Sequence, residues 1–263
     1  FFAFDNTGFP GAATRAVDSP TFELDPYALY IGVVQFCEPS GVYMGTSGFV
    51  VRKTSVIDFA TIAVTPFHNL TGSSAGAGPF APQGVDVEDP NVATGFFIGV
   101  DNASLGTLML RRVSNPGGTP TISGNIAITV PATAAPITVR HLGNLGGANG
   151  HVDGGDDRLS SASLVNGRLW TAHTIGVTHT GVASGSANRN GVRWYELGTV
   201  TGTPTVVQSG TLFSSTGSGS FDQRNYFVPS IAASSAGRAV IGYSAAGTSE
   251  YINGGVVERF ASD

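Results

Sequence analysis

The residues best equipped for chemistry stand in one run, His151-Val152-Asp153-Gly154-Gly155-Asp156-Asp157-Arg158. Carboxylates on a flexible glycine loop are hard oxygen donors of the kind that Ca2+ takes. Asp153, Asp156 and Asp157 are therefore the candidate ligands of a structural Ca2+, although their spacing is not that of the twelve-residue EF-hand loop. A polar turn is the competing use of the same residues, with Asp157 pairing with Arg158 or capping backbone amides. Arg158 is the arginine best placed to hold a ligand, and no cofactor beyond Ca2+ is implied.

Other combinations carry less. Asp86 with Asp153 or Asp157 is the candidate carboxylate pair for glycoside hydrolysis, which needs two carboxyls about 5–9 Å apart. Gly72-Ser73-Ser74-Ala75-Gly76 matches G-x-S-x-G, but a nucleophile elbow needs a strand before it and a helix after it, and this copy lies in a low-complexity loop. His68, His141, His151, His173 and His179 show no metal-ligand spacing, and His173 reads as a hydrogen-bonded sheet residue beside Trp170. The single cysteine, Cys37, rules out an intrachain disulfide framework and is expected to be buried. Asn69-Leu70-Thr71 and Asn102-Ala103-Ser104 are sequons on expected loops. Phe80, Phe221, Tyr226 and Phe227 flank loops, where they either pack under them or form a binding surface. No catalytic residue is assigned.

The elements that must position these residues form a repeat. Ala28–Phe36, Gly95–Asn102, Arg168–Gly176 and Arg238–Ala246 share one pattern, and aligning Tyr30, Phe97, Trp170 and Val240 spaces the copies by 67, 73 and 70 residues. A small residue recurs two positions on, as Gly32, Gly99, Ala172 and Gly242, where a second backbone can approach a strand closely. Each copy leads into a glycine-headed strand ending in charge: Gly48–Lys53, Gly106–Arg112, Gly191–Leu197 and Gly254–Phe260. The element Gly-Thr-Pro-Thr then occurs at the same place in copies two and three, as residues 118–121 and 202–205. Further strands are expected at Phe59–Thr65, Asn125–Val130 and Thr205–Phe213. Others precede the copies at Pro20–Asp25, Gln83–Asp89, Asp157–Leu164 and Val228–Ser234.

Four strands per unit, turn signals between them and no helical periodicity make an all-β chain, and tandem four-stranded antiparallel units are the mark of a β-propeller. The units span approximately 18–66, 80–131, 152–214 and 226–263 of a single domain covering residues 1–263. The N-terminal strand Phe1–Asp5 either completes the last unit, closing a ring of four blades, or belongs to an earlier blade of a propeller with five or more.

Composition agrees with this class. Only 12% of the 263 residues are charged, against a usual ~25%, and 37 are glycine, which suits an exported all-β chain better than a helical cytosolic enzyme. With 13 basic residues against 18 acidic ones there is no basic stripe for nucleic acid. No apolar run reaches the ~20 residues of a transmembrane helix. The chain begins Phe-Phe-Ala-Phe without methionine, and the expectation is that a leader or a larger N-terminal part has been removed.

Asp157–Val177, Gly191–Leu197, Val206–Phe213 and Tyr226–Tyr251 resemble secreted bacterial β-propeller proteins of the sialidase-like superfamily. The resemblance implies a propeller fold and export to the periplasm, the cell surface or the medium. Members are usually longer, with at least one blade before the position of Asp18-Ser19-Pro20, which favours an earlier blade as the home of Phe1–Asp5. The resemblance implies no activity: the Asp-box turn S-x-D-x-G-x-T-W is missing, and no arginine triad can be assigned. The function expected is a non-catalytic binding or scaffolding module for a protein partner or extracellular glycan, compatible with an extrinsic structural subunit of a membrane complex. The alternative is a carbohydrate-active hydrolase using inner-strand carboxylates.

Overall fold

The computed structural model describes residues 15–71, 76–144, 150–217 and 223–260. The expected strand Phe1–Asp5, residue Phe221 and most of the G-x-S-x-G match lie outside them. Four sheets succeed one another along the chain. The first runs β1 (Arg15–Leu24), β2 (Ala28–Cys37), β3 (Val42–Arg52), β4 (Val64–Phe67) in order. The second contains β5 (Pro79–Gly84), β7 (Thr94–Asp101), β8 (Thr107–Ser114) and β10 (Ile126–Thr129), with the short β9 (Thr121–Ile122) on β8. In the third, β11 (Leu159–Val165), β12 (Arg168–Val177), β13 (Arg189–Gly198) and β14 (Thr205–Leu212) are joined at the β11 edge by β6 (Asp86–Val87). The fourth holds β15 (Arg224–Ala233), β16 (Ala239–Gly247) and β17 (Glu250–Arg259).

The repeat alignment thus finds the second strand of every sheet. β2, β7 and β12 are largely buried along their length, while β16 alternates and leaves Val240 44% exposed where Tyr30, Phe97 and Trp170 are buried. Both Gly-Thr-Pro-Thr elements form the same turn. The amide of Gly118 donates to the carbonyl of Asn115 and that of Gly202 to Thr199, and Asn115 and Thr199 both take φ near +50° (53° and 54°). Gly32 must be glycine, since a Cβ there would lie 1.8 Å from the Pro82 carbonyl oxygen.

Two expectations need correction. Phe59–Thr65 is not one strand: the chain leaves β3 at Arg52, makes one helical turn, α1 (Lys53–Ile57), and rejoins at Ala63. Arg52 donates its amide to the Ala63 carbonyl, and the Ser55 hydroxyl accepts from the Ala63 amide, so ten residues are pinched off and Phe59 is left 97% exposed at φ 51°. Nor is Gln83–Asp89 one strand. It splits after Gly84, β5 staying antiparallel to β7 while Asp86 and Val87 run parallel to Ser163 and Leu164. Cys37, expected buried, is half-buried.

Every sheet carries an irregularity between its first two strands that periodicity did not reveal. Register slips between first and second strands at Asp18/Thr21, Phe80/Gln83, Leu159/Ser161 and Phe227/Ser230. In three of these bulges a left-handed residue precedes a proline: Ser19 (φ 50°), Ala81 (φ 42°) and Val228 (φ 46°). Proline cannot donate to a ladder, so it belongs at such a break.

The chain divides into two compact units: Phe1–Val85, Pro90–Ser104 and Leu108–Ala127 form the first, and Asp86–Asp89, Leu105–Thr107 and Ile128–Asp263 the second. The first centres on Ala28, Tyr30, Val50, Phe97 and Val113. The second centres on Trp170, Ala172, Val192, Ile231, Ala239 and Ile241. There Trp170 and Trp194 stack at 6.1 Å, and the Arg259 guanidinium lies 5.8 and 5.6 Å from the two rings. No helix among the described residues is long and apolar enough to cross a membrane.

Candidate functional site

The run from His151 to Arg158 leads into β11 and divides into separate jobs. The Asp153 carboxylate accepts from the Gly155 amide at 2.9 Å, an Asx-type turn made possible by φ +82° at Gly155. Asp156, not Asp157, is the partner of Arg158. Nε and Nη2 of Arg158 each donate to Asp156 at 2.5 Å, and the Arg158 amide adds a third bond at 3.1 Å. The ligand-binding role expected for Arg158 therefore competes with a bidentate partner on its own loop. Among the described residues no three His, Cys, Asp or Glu side chains converge where they could hold a metal ion.

Asp157 is different. Burial, with help from the neighbouring Asp156 charge, pushes its carboxyl up to about 6, against the hydrogen bond from its own amide. Its backbone carbonyl accepts from His173 Nδ1 at 2.6 Å, which fixes the tautomer of His173. Nε2 is then the acceptor for the Tyr195 hydroxyl, 3.0 Å away. His173 is fully buried, and desolvation lowers it to about 4, so it is a neutral imidazole, the hydrogen-bonded sheet residue its strand position suggested. Burial also raises Tyr195. Arg193, opposite His173 on β13, donates through Nε to the Thr211 hydroxyl at 2.8 Å.

Of the two carboxylate pairs expected for hydrolysis, Asp86 with Asp157 is not assembled. Asp86 is registered opposite Ser163, six residues along an extended chain from Asp157. At ~3.3 Å per residue that separates the two backbones by on the order of 15–20 Å.

A cleft of about 330 Å3 lies in the second unit, lined by Ile137, Thr138, Arg140, His151, Ala187, Asn188, Gln223, Asn225 and Thr248. Its walls are built by backbone. Val139 and Val152 exchange both amide–carbonyl bonds, at 2.8 and 2.9 Å, which makes Arg140 and His151 the adjoining pair across this short ladder. The wholly buried Asn190 clamps Ile137, accepting from its amide at 2.8 Å and donating to its carbonyl at 2.6 Å. Gly154 fits beneath, since a Cβ would stand 2.3 Å from the Ile137 carbonyl oxygen. The Asn190 amide in turn donates to the Asn225 side chain at 2.8 Å. Arg189, also wholly buried, gathers the carbonyls of Ser214, Thr216 and Gly217 at 2.5, 2.8 and 2.5 Å, and donates through Nε to Asn188 Oδ1 at 3.1 Å.

Of the residues lining the cleft only His151 belonged to the run singled out in the sequence, and Arg158 does not line it. Arg140, Asn188, Asn190 and Asn225 come from three distant segments and share no motif. Of the aromatics expected either to pack under loops or to form a binding surface, Phe227 is buried, Tyr226 packs on Tyr243 at 4.7 Å and Phe80 on Tyr43 at 5.8 Å.

No family model matches the chain, and no curated protein sequence matches it. Among solved structures, a xylan β-1,4-xylosidase from Bacillus halodurans C-125 is 11% identical over 94% of this chain and 40% of its own, with a TM-score of 0.42. A subtype N11 neuraminidase-like protein of A/flat-faced bat/Peru/033/2010 (H18N11) is 8% identical over 93% of this chain and 59% of its own, with a TM-score of 0.42. An endo-arabinase from Bacteroides thetaiotaomicron VPI-5482 is 13% identical over 93% and 75%, with a TM-score of 0.41. The chain thus spans less than two thirds of the first two structures.

Proposed function

We propose that the four sheets are blades of a single-domain β-propeller, that the protein is exported, and that it acts as a non-catalytic module binding extracellular glycan. The repeated up-and-down sheets, the bulge recurring in each and the shared Gly-Thr-Pro-Thr turns support the propeller. The observation that carries the binding role is the cleft: about 330 Å3, near the lower end of small-ligand sites, and lined by seven polar residues in nine. A concave polar site of that size suits one or two sugar units better than the flat surface of a protein partner.

The test is a glycan array probed with the purified chain, run beside a panel of aryl-glycosides. Binding without turnover is the expected result. The hydrolase reading has one observation in its favour, the Asp157 carboxyl raised to about 6, a suitable value for a general acid. Cleavage of an aryl-glycoside that Asp157→Asn abolishes would replace the binding module with that enzyme.

A further inference from the structure

We infer that the cleft selects glycans carrying an anionic oxygen group, a carboxylate or a sulfate ester, and that Arg140 and His151 recognise it. This inference rests on the glycan-binding reading. The lining contains no aspartate or glutamate, so Arg140 holds its only full-time charge. Arg140 is exposed, with no hydrogen bond or ion pair among the described residues. Its five donors are open to a ligand, and a guanidinium matches the planar or tetrahedral oxygens of an oxyanion in bidentate fashion.

The Val139–Val152 ladder sets His151 across from Arg140. His151 Nε2 is buried and has no hydrogen-bond partner among the described residues. A buried ring nitrogen without a partner is costly, and because His151 lines the cleft a turn of its ring offers that nitrogen to an incoming group. As a donor it would meet the same oxyanion, and as an acceptor a sugar hydroxyl beside it. Asn188 points to the same ligand class. Its Oδ1 is engaged by Arg189, which leaves its NH2 as the group to offer. A wall that is rich in donors and free of acids favours an acceptor-rich, negatively charged ligand, even though the whole chain carries a net charge of −5.

Isothermal titration would use an oligouronate and its carboxyl-reduced form, a sulfated oligosaccharide and its desulfated form, and free inorganic sulfate. One of the two anionic glycans should bind at least about tenfold more tightly than its neutral counterpart, the effect of one charge-assisted contact, and should weaken as salt is raised. Arg140→Ala should abolish that preference while leaving the melting temperature unchanged, since Arg140 is exposed. His151→Gln, which keeps a donor and an acceptor, should retain more of it than His151→Ala. Equal binding of charged and neutral forms, unaltered in Arg140→Ala, would overturn the inference and leave the glycan module standing. Binding of sulfate alone, or of no glycan at all, would overturn the glycan-binding reading itself.

Discussion

Two aspartates, one in each unit, sit beside a tyrosine under strand backbone, and they are treated in opposite ways. Asp25 is wholly buried in the first unit and accepts from the amides of Tyr27 and Ala28 at 2.7 and 2.6 Å and from the Tyr30 hydroxyl at 2.5 Å. Asp157 in the second unit is half-buried, and among the described residues the only hydrogen bond to its carboxyl comes from its own amide. Its neighbours His173 and Tyr195 bond to its backbone carbonyl and to each other instead. A carboxylate with three donors is a rivet that closes the turn into β2. A carboxyl denied donors holds its proton longer and is free for other work. Residue type did not separate them; the number of donors did.

The largest expected effect comes from Asp25→Ala, which strands the Tyr30 hydroxyl and two amides in the core. Urea unfolding should show a loss of about 3–5 kcal/mol. Tyr30→Phe removes a single bond to the same charge and should cost about 1.5–3 kcal/mol by the same measurement. If either change costs no more than Asp157→Asn does at pH 7, the contrast between the two acids collapses.

A subtler effect lies in pH. Asp157 keeps its proton to about pH 6 when folded but only to about 3.8 when unfolded, so in that window its contribution to stability falls as pH rises. His173 is neutral above about pH 4 when folded, while the unfolded chain protonates it below about 6.5, so its contribution rises with pH across nearly the same window. The two slopes oppose each other. Urea midpoints of the wild type between pH 4 and 6.5 should therefore change little. Asp157→Asn should uncover a rise and His173→Gln a fall; superimposable profiles for all three proteins would show that neither group is shifted. The smallest effect concerns calcium. With Asp156 held by Arg158 and Asp153 closing its own turn, melting curves with Ca2+ and with chelator should coincide, and a rise of several degrees with Ca2+ would establish the metal site expected at Asp153, Asp156 and Asp157.

The sheets were legible because their second strands, such as Tyr30–Val34 and Trp170–Val177, are mostly apolar stretches too short for helices, with a small residue, Gly32 or Ala172, at a fixed place. Phe59–Thr65 misled because its apolar and β-branched residues fit a strand, whereas the decision was made by Ser55, whose hydroxyl accepts from the Ala63 amide. Side-chain closure of this kind leaves no periodic trace. The acidic run was legible as a loop but not as a site. Its one member that faces the cleft, His151, acquires a role only from Arg140 and Asn188, which are brought to it by the Val139–Val152 ladder and the Asn190 clamp. Such long-range pairings depend on folding, not on spacing.

The recurring bulge has a practical consequence for modular exchange. Three sheets make it with proline behind a left-handed residue, and the third makes it with Ser160-Ser161 alone, so the kink survives where the letters do not. Register is reset there, and the segments on its two sides need not share a phase. Chimeras that swap one sheet for another should therefore be joined immediately before Asp18, Phe80, Leu159 or Phe227, where a transplanted segment arrives already in step with its new neighbour.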